Sequence, residues 1–401
     1  MGDCCSKGAE NRALPLETHP EHEKSITCMC LSDDSSLLIT GSDDCTARMW
    51  STKTRKTECL GILKGHSQYI TCVAMCETFV LTGSADNTIR KWDMTTCECL
   101  DVYTGHTSRV FRLICTGTTI FSTSYDTTAR AWRFDTSDVD EDEDLCIRKF
   151  EGHTRAVLPI IFIPGVDLPN DDDVDMGINP GDLVVTGSAD SLAKTWSFET
   201  GGCLKTLKGH QGPISCMATD TMGKILFTGS MDKTVRSWDI NSGRCLKVFE
   251  GHENGIVAMQ SMKTMLYTGA TDGLAKCWVT DFGDCTRTYR GHKHTVSCLK
   301  VHDGILFTGS GDSLARAFDA KSGTLRREFR GHEAGVNCLT VVDGYLYTGS
   351  TDGSVMKWDA RGLSEGVEVG DELSQSFSSR QGKRLDELNG HLDNYIDKEE
   401  Y

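Results

Sequence analysis

The sequence predicts an all-β chain built from eight copies of one four-stranded antiparallel unit, and three observations carry that expectation. A Gly-His pair or its equivalent recurs with a period of about forty residues, at His22, His66, His106, His153, His210, His252, His292 and His332. Each is followed by a β-prone run and then by T-G-S-x-D or a near variant, whose acid is Asp44, Asp86, Asp126, Asp190, Asp232, Asp272, Asp312 or Asp352. Four residues before each acid stands a hydroxyl, at Thr40, Thr82, Ser122, Thr186, Thr228, Thr268, Thr308 and Thr348. Six residues after it stands an aromatic, at Trp50, Trp92, Trp132, Trp196, Trp238, Trp278, Phe318 and Trp358, a series that uses all seven tryptophans of the chain.

The second unit shows how each element arises. Residues 69–75 and 79–82 are short β-prone runs, 83–87 form a turn, 88–92 alternate polar with apolar, and 99–103 supply a fourth strand. Four-stranded sheets of fixed period, arranged radially, leave only short protected edges. Eight units therefore imply one eight-bladed β-propeller over residues 12–359, with a disordered leader at 1–11 and a tail at 360–401.

A hydroxyl, an imidazole and a carboxylate resemble a hydrolase triad. Catalysis needs one accessible nucleophile beside one cleft, whereas this constellation recurs eight times. A structural hydrogen-bond chain is the better reading. Trp only donates, a hydroxyl and a neutral imidazole do both, and a carboxylate only accepts, so the order Trp, Thr, His, Asp terminates cleanly. No P-loop and no H-E-x-x-H motif offers another centre, and no enzyme activity or cofactor is expected.

GHSQYITCVAMCETFVLTGSADNTIRKWD, residues 65–93, resembles one unit of the WD-repeat β-propellers, and such units cover residues 22–359. The spacing carries the resemblance, since only Trp92-Asp93, Trp238-Asp239 and Trp358-Asp359 keep the dipeptide that names the family. Glu21 replaces the usual Gly in the first unit. Phe318 cannot donate to Thr308, and it brings no indole nitrogen that needs a partner.

The resemblance implies that the last blade borrows its outer strand from the segment before the first unit. Residues 12–18 fit, with Leu16 six before His22 as Leu60 is before His66, and Pro15 is tolerable on an edge. The segment 384–396, RLDELNGHLDNYI, has Leu385, Leu388, Gly390 and His391 where a ninth copy would place them, and is a rival closing strand, a helix or a remnant. The N-terminal segment is preferred because it closes a shorter loop.

The formal net charge of -16 argues against binding a phosphate backbone, so nucleic acid is not an expected partner. The most apolar run, AVLPIIFIPGV, is too short to cross a bilayer and contains two prolines. No secretory signal is visible, so the cytosol is expected and the 19 cysteines should be thiols. Cys28, Cys72, Cys216, Cys298 and Cys338 lie six residues after the repeat histidine, and Cys59, Cys99, Cys146, Cys203, Cys245 and Cys285 lie seven before it. They recur once per blade as small fillers and show no paired C-x-x-C spacing for zinc.

Two insertions hold much of the negative charge. Residues 135–144 carry seven acids and 163–182 carry six, with no Lys or Arg in either. Asp171, Asp173, Asp175 and Asp182 suggest a Ca²⁺ loop, but Met176 stands where its turn needs Gly and the twelfth position is Asp rather than Glu. The family's strand order puts both insertions on the bottom face as one acidic lobe, which could attract a basic partner.

MGDCCSKG fits the M-G-x-x-x-[ST] acylation pattern at Gly2, with Cys4 and Cys5 placed for a second acyl chain. Two chains would give stable membrane attachment. Asp3 and the lack of a polybasic patch count against it.

By the resemblance, partners dock on the top face. Most positions carried over are small: Ser25, Thr27, Ala85, Ala189, Ser215, Gly255, Gly311 and Gly335. One sector differs, with Tyr69, Arg109, Phe111, Tyr125 and Leu158 on blades two to four and Met231 on blade five. Tyr and Arg are typical hot-spot anchors. The expected function is a non-catalytic scaffold or adaptor for proteins or peptides, with a substrate receptor of a ubiquitin ligase as the alternative.

Overall fold

The computed structural model describes residues 12–54, 56–137, 144–165 and 181–364, and every regular element among them is a β-strand. The second unit folds as Ile70–Cys76, Phe79–Ser84, Ile89–Asp93 and Cys99–Tyr103, each strand antiparallel to the next. Seven other sheets repeat this plan. Innermost strands of successive blades pack on one another, and Ile26–Leu31 of blade one packs on Val336–Val342 of blade eight. The sheets thus close into an eight-bladed β-propeller.

Each T-G-S-x-D turn has the same backbone form. The residue after the Asp adopts a left-handed conformation, with φ from 64° to 82° at Cys45, Asn87, Thr127, Ser191, Lys233, Gly273, Ser313 and Gly353. Only two of these are glycine, so six turns hold an L side chain where sterics disfavour it. The Asp compensates by accepting the amide two residues on, as in Thr88 N–H to Asp86 Oδ1 at 3.0 Å.

Blades are joined by apolar packing between sheets. Leu81, Ile89 and Tyr103 of blade two pack against Val110, Ile120 and Trp132 of blade three. The closing joint uses the same positions, Tyr347 and Val355 of blade eight against Ile26, Leu38 and Trp50 of blade one. Burying each such side chain stabilises by about 1.5–3 kcal/mol.

The N-terminal segment divides between two blades. Glu17–His19 is the outer strand of blade eight, antiparallel to Val355–Asp359, with Glu17 opposite Lys357 and His19 opposite Val355. Upstream, Arg12–Ala13 runs parallel to Leu325–Arg330, which makes blade seven five-stranded rather than four-stranded. Pro15, which has no amide proton to offer a ladder, lies between the two pairings. Of the expected closing segment 12–18, residues 17 and 18 do pair with blade eight, whereas the chain changes partner at the proline and its first residues join blade seven.

The closing strand also differs in content. Three residues before the repeat histidine, the other outer strands place Leu63, Tyr103, Phe150, Leu207, Phe249, Tyr289 or Phe329, none more than 1 % exposed. The closing strand puts His19 there, its ring 5.4 Å from that of Trp50. Glu17 ties the joint by accepting the Thr57 amide at 2.7 Å and lying 3.2 Å from His19 Nε2 and 3.6 Å from Lys357 Nζ. A polar latch thus takes the place of a buried apolar plug.

The leader at 1–11, the tail segment 384–396 and most of the two acidic insertions lie outside the described residues. Asp182, at the end of the second insertion, is buried and accepts the Gly165 amide at 2.8 Å, so it pins the neck of that insertion.

Candidate functional site

Two groups of side chains could carry chemistry: the eight repeated polar chains inside the blades and the aromatic-rich sector of the top face. In every blade the imidazole Nδ1 lies 2.7–3.0 Å from the carboxylate of its Asp. Its Nε2 lies 2.7–2.9 Å from the hydroxyl of Thr40, Thr82, Ser122, Thr186, Thr228, Thr268, Thr308 or Thr348. In seven blades the indole N–H donates to that hydroxyl at 2.8 Å. With Trp donating, the hydroxyl donates its own O–H to Nε2, and Nδ1–H donates to the carboxylate.

The carboxylate does more than end this chain. One oxygen accepts Nδ1–H and the amide of the residue after the histidine, as in Ser67 N–H to Asp86 Oδ2 at 3.0 Å. The other accepts the turn amide and, in blade two, the Thr88 hydroxyl at 2.6 Å. Burial alone would raise its pKa, but the bonds from His66 and Thr88 outweigh it and hold Asp86 well below the usual carboxylate range. All eight of these acids are lowered in this way. Burial lowers the pKa of His106, His153, His252 and His292 despite the opposing pull of their acids.

None of the eight hydroxyls is exposed to solvent. Each sits between an aromatic ring and an imidazole, where a substrate carbonyl has no approach. The arrangement braces the inner face of each turn and offers no nucleophile to a cleft.

Blade seven departs from this scheme in a way that sequence spacing did not reveal. Phe318 leaves Thr308 without an indole donor, and Arg316, two residues earlier on the same strand, turns its guanidinium onto the acid of the turn. Its guanidinium donates to Asp312 Oδ2 at 3.0 Å and to Glu328 Oε2 at 2.8 and 3.1 Å, and it also contacts His292 Nδ1. The signal was present as Glu328, the one acid among residues four before a repeat histidine in outer strands that otherwise carry Ile62, Val102, Lys149, Thr206, Val248 or Thr288.

The cysteines six after the repeat histidine pack against the glycine of the T-G-S motif. A Cβ added to Gly83 would lie 2.6 Å from Cys72 Sγ, and one on Gly309 2.6 Å from Cys298 Sγ. Burial pushes the Cys28 thiol up to about 11 and the Cys72 thiol up to about 12, which keeps them protonated. Blade three confirms the pairing by exception: Thr123 replaces the glycine, Arg112 replaces the cysteine, and the Thr123 hydroxyl donates across the joint to Leu158 O at 2.8 Å. The outer-strand cysteines are different. Cys59, Cys203, Cys245 and Cys285 are exposed rather than core fillers, standing at the register shift of each outer strand. Among the described residues no three His, Cys, Asp or Glu side chains converge as metal ligands.

On the top face the structure brings four of the six singled-out residues together. Arg109 donates to Tyr69 Oη at 2.9 Å, and its guanidinium carbon lies 3.7 Å from the centre of the Tyr125 ring. Phe111 meets Tyr125 with ring centres 5.9 Å apart. The Tyr125 amide bonds Arg109 O at 3.1 Å, which fixes the turn of blade three to its first strand. Leu158 lies on blade four, where its carbonyl accepts the Thr123 hydroxyl. Met231 is exposed and lies instead against Gly255, where an added Cβ would meet its sulfur at 2.7 Å. A rim cavity of about 410 Å³, lined by Thr324, Leu325, Arg326, Arg327, Gly362 and Leu363, was not singled out by sequence.

The geometry agrees with comparisons to known proteins. The family model described as "WD domain, G-beta repeat" matches residues 14–51, 57–93, 97–133, 201–239, 243–279, 283–319 and 323–359. The gap holds the blade whose first two strands are separated by the 163–182 insertion. Human WD repeat-containing protein 86 is 44% identical over 208 residues, which is 52% of this chain and 53% of that protein. Mitochondrial division protein 1 of Schizosaccharomyces pombe is 26% identical over 46% of this chain and 22% of its own length. The chain thus spans about half of one of these relatives and less than a quarter of the other. Among solved structures, the computationally designed Ika8 protein superposes with a TM-score of 0.73 at 26% identity, covering 87% of this chain and 99% of that one. Sqt1 of Saccharomyces cerevisiae gives 0.75 at 15% identity over the same shares, a likeness of fold alone. With more than half of its residues inside matched repeats, the chain belongs to the WD-repeat family of β-propellers.

Proposed function

We propose that this propeller is a non-catalytic interaction scaffold whose top face docks proteins or peptides at Tyr69, Arg109, Phe111 and Tyr125. The observation that supports the reading is the contiguity of these side chains on blades two and three. Most of the corresponding positions elsewhere are small. Rigid aromatic rings around a guanidinium combine contact area with polar reach at low entropic cost. Leu158 extends the patch, and Met231 would form a separate contact on blade five.

The test is quantitative affinity capture with wild type beside an Arg109→Ala, Tyr125→Ala double variant and an outer-edge control, Leu204→Ser. Partners that use the face are lost from the double variant and retained by the control. Retention of every partner by the double variant would overturn the reading.

The proposal extends to the leader and the insertions. Acyl chains on Gly2 and on Cys4 or Cys5 would tether the scaffold to a membrane from a cytosolic location, and the acidic segments 135–144 and 163–182 would recruit a basic partner. The sequence pattern and the charge count support these readings. Mass spectrometry of the native N-terminal peptide tests the first, an acetylated or free Gly2 excluding myristate. Replacing the acids of 135–144 by Asn and Gln tests the second, since basic partners should then be lost.

A further inference from the structure

We infer that Arg109 reads a carboxylate on the docked partner, so that the top face selects an extended peptide carrying Asp or Glu beside an apolar residue. This rests on the docking role proposed above and adds the chemistry of the ligand.

Arg109 differs from many other arginines of the propeller in what holds it. Arg316 bonds Asp312 and Glu328, and Arg326 bonds Asp319. Arg361 bonds Asp359, and Arg330 bonds Glu328. Arg48, Arg148 and Arg327 donate to backbone carbonyls, and Arg90, Arg130 and Arg236 to thiols. Arg109 is held by two neutral phenols, through a hydrogen bond to Tyr69 and a stack on Tyr125, and no carboxylate of the described residues bonds it. It thus forms no ion pair among the described residues, on a chain whose net charge is -16.

That arrangement suits recognition rather than stability. Two aromatic contacts fix the guanidinium before a ligand arrives, which removes much of the entropic cost that a free arginine meets on binding. A planar guanidinium held by its face and one nitrogen keeps donors for a carboxylate, whose charge-assisted bonds are roughly twice as strong as neutral ones. Phe111, tilted against Tyr125, supplies an apolar wall beside the charge. Phosphate recognition usually relies on clustered guanidiniums, and the positions equivalent to Arg109 on the other blades are Ser25, Tyr69, Ala156, Pro213, Gly255, Thr295 and Gly335.

The experiment uses the full chain and immobilised octapeptide pools, random except for a central Glu, Gln or phosphoserine. Wild type should retain the Glu pool about tenfold better than the Gln pool, with the preference shrinking in high salt. Arg109→Gln should abolish that preference yet keep the apolar-rich Gln peptides, and Arg109→Lys should restore part of it. Thermal unfolding of each variant shows whether the fold is intact. Equal retention of Glu and Gln by wild type, a preference that survives Arg109→Gln, or a stronger preference for phosphoserine than for Glu would each overturn the inference. A Phe111→Ala, Tyr125→Ala variant that binds as wild type would overturn the docking site itself, and absence of binding to any pool would overturn both.

Discussion

Blade two and blade seven solve the same problem with different chemistry. In blade two Trp92 donates to Thr82, Thr82 to His66 and His66 to Asp86, a neutral chain that ends on one charge. Arg90 lies at the side, half-buried, over the indole and 3.6 Å from the Cys99 thiol. In blade seven Phe318 removes the first donor, and the equivalent arginine, Arg316, is only 5 % exposed and bonds two carboxylates. One position therefore supports a spectator in one blade and an ionic hub in another. The repeat constrains where polar groups must be satisfied and leaves open which groups satisfy them.

The widest test of this comparison is acid. Each depressed Asp favours the folded state above its unfolded pKa of roughly 4, and that contribution disappears as pH falls through the folded value. The lowered pKa of His106, His153, His252 and His292 has the same sign, since the unfolded chain takes up protons first below roughly pH 6.5. Denaturant-derived stability should therefore fall modestly from pH 6.5 and steeply below about 4. A profile flat from pH 7 to 3 would contradict this account of all eight blades, whichever donor set they use.

Next in size is the arginine itself. Arg316→Met removes the cation between Asp312 and Glu328 and should cost about 1.5–3 kcal/mol, because both carboxylates lose a charged donor although Asp312 keeps His292 and Glu328 keeps Arg330. Arg90→Met in blade two should cost less than about 1 kcal/mol. Equal losses, read from urea unfolding, would erase the distinction between hub and spectator.

The aromatic exchange runs both ways. Trp92→Phe removes the indole bond to Thr82 and should cost about 1–2 kcal/mol. Phe318→Trp should also destabilise, by about 1–3 kcal/mol, since its slot is filled by Phe318 against Tyr289. Even with Arg316 in place, His292 Nδ1 lies 3.0 Å from Asp312 Oδ1, so His292 should carry its proton on Nδ1 as His66 does. Nitrogen-15 NMR of the imidazoles distinguishes the tautomers, and a His292 signal unlike that of His66 would contradict the prediction.

The smallest effects lie in the turns. At Gly353, φ is 82° and an added Cβ would meet His22 O at 2.7 Å, so Gly353→Ala should cost more than about 1 kcal/mol. Thr127→Gly relieves a side chain at φ 73° but loosens the unfolded chain, and should change stability by only a few tenths of a kcal/mol, about 0.5 at most. A large loss at Thr127 would show that its side chain holds the turn.

The repeated residues were legible because each blade must satisfy the same buried polar atoms, and that requirement writes itself at fixed spacing. Eight histidines, eight acids and eight aromatics gave the number of blades and the residues of each polar chain. Sequence spacing could not show that Arg316 becomes an ionic hub, since its partners Asp312 and Glu328 belong to a turn and to the next strand and meet it only when the sheet forms. Nor could it separate the inner cysteines, packed on glycine, from the exposed outer ones. On the top face it proposed six residues, of which the structure gathers Tyr69, Arg109, Phe111 and Tyr125 and sets Met231 apart.

What the sequence determined alone is therefore the periodic part: strand order, turn chemistry and internal bracing, all local consequences of spacing along one chain. The tertiary structure decided the parts in which distant segments meet. It narrowed the expected N-terminal closure to Glu17–His19, with Glu17 and Lys357 drawn together from opposite ends of the repeat array, and sent Arg12–Ala13 to a different blade. The physical reason is that a repeat specifies its own neighbours by register, whereas a ring must also join its first unit to its last, and that contact has no counterpart in local sequence.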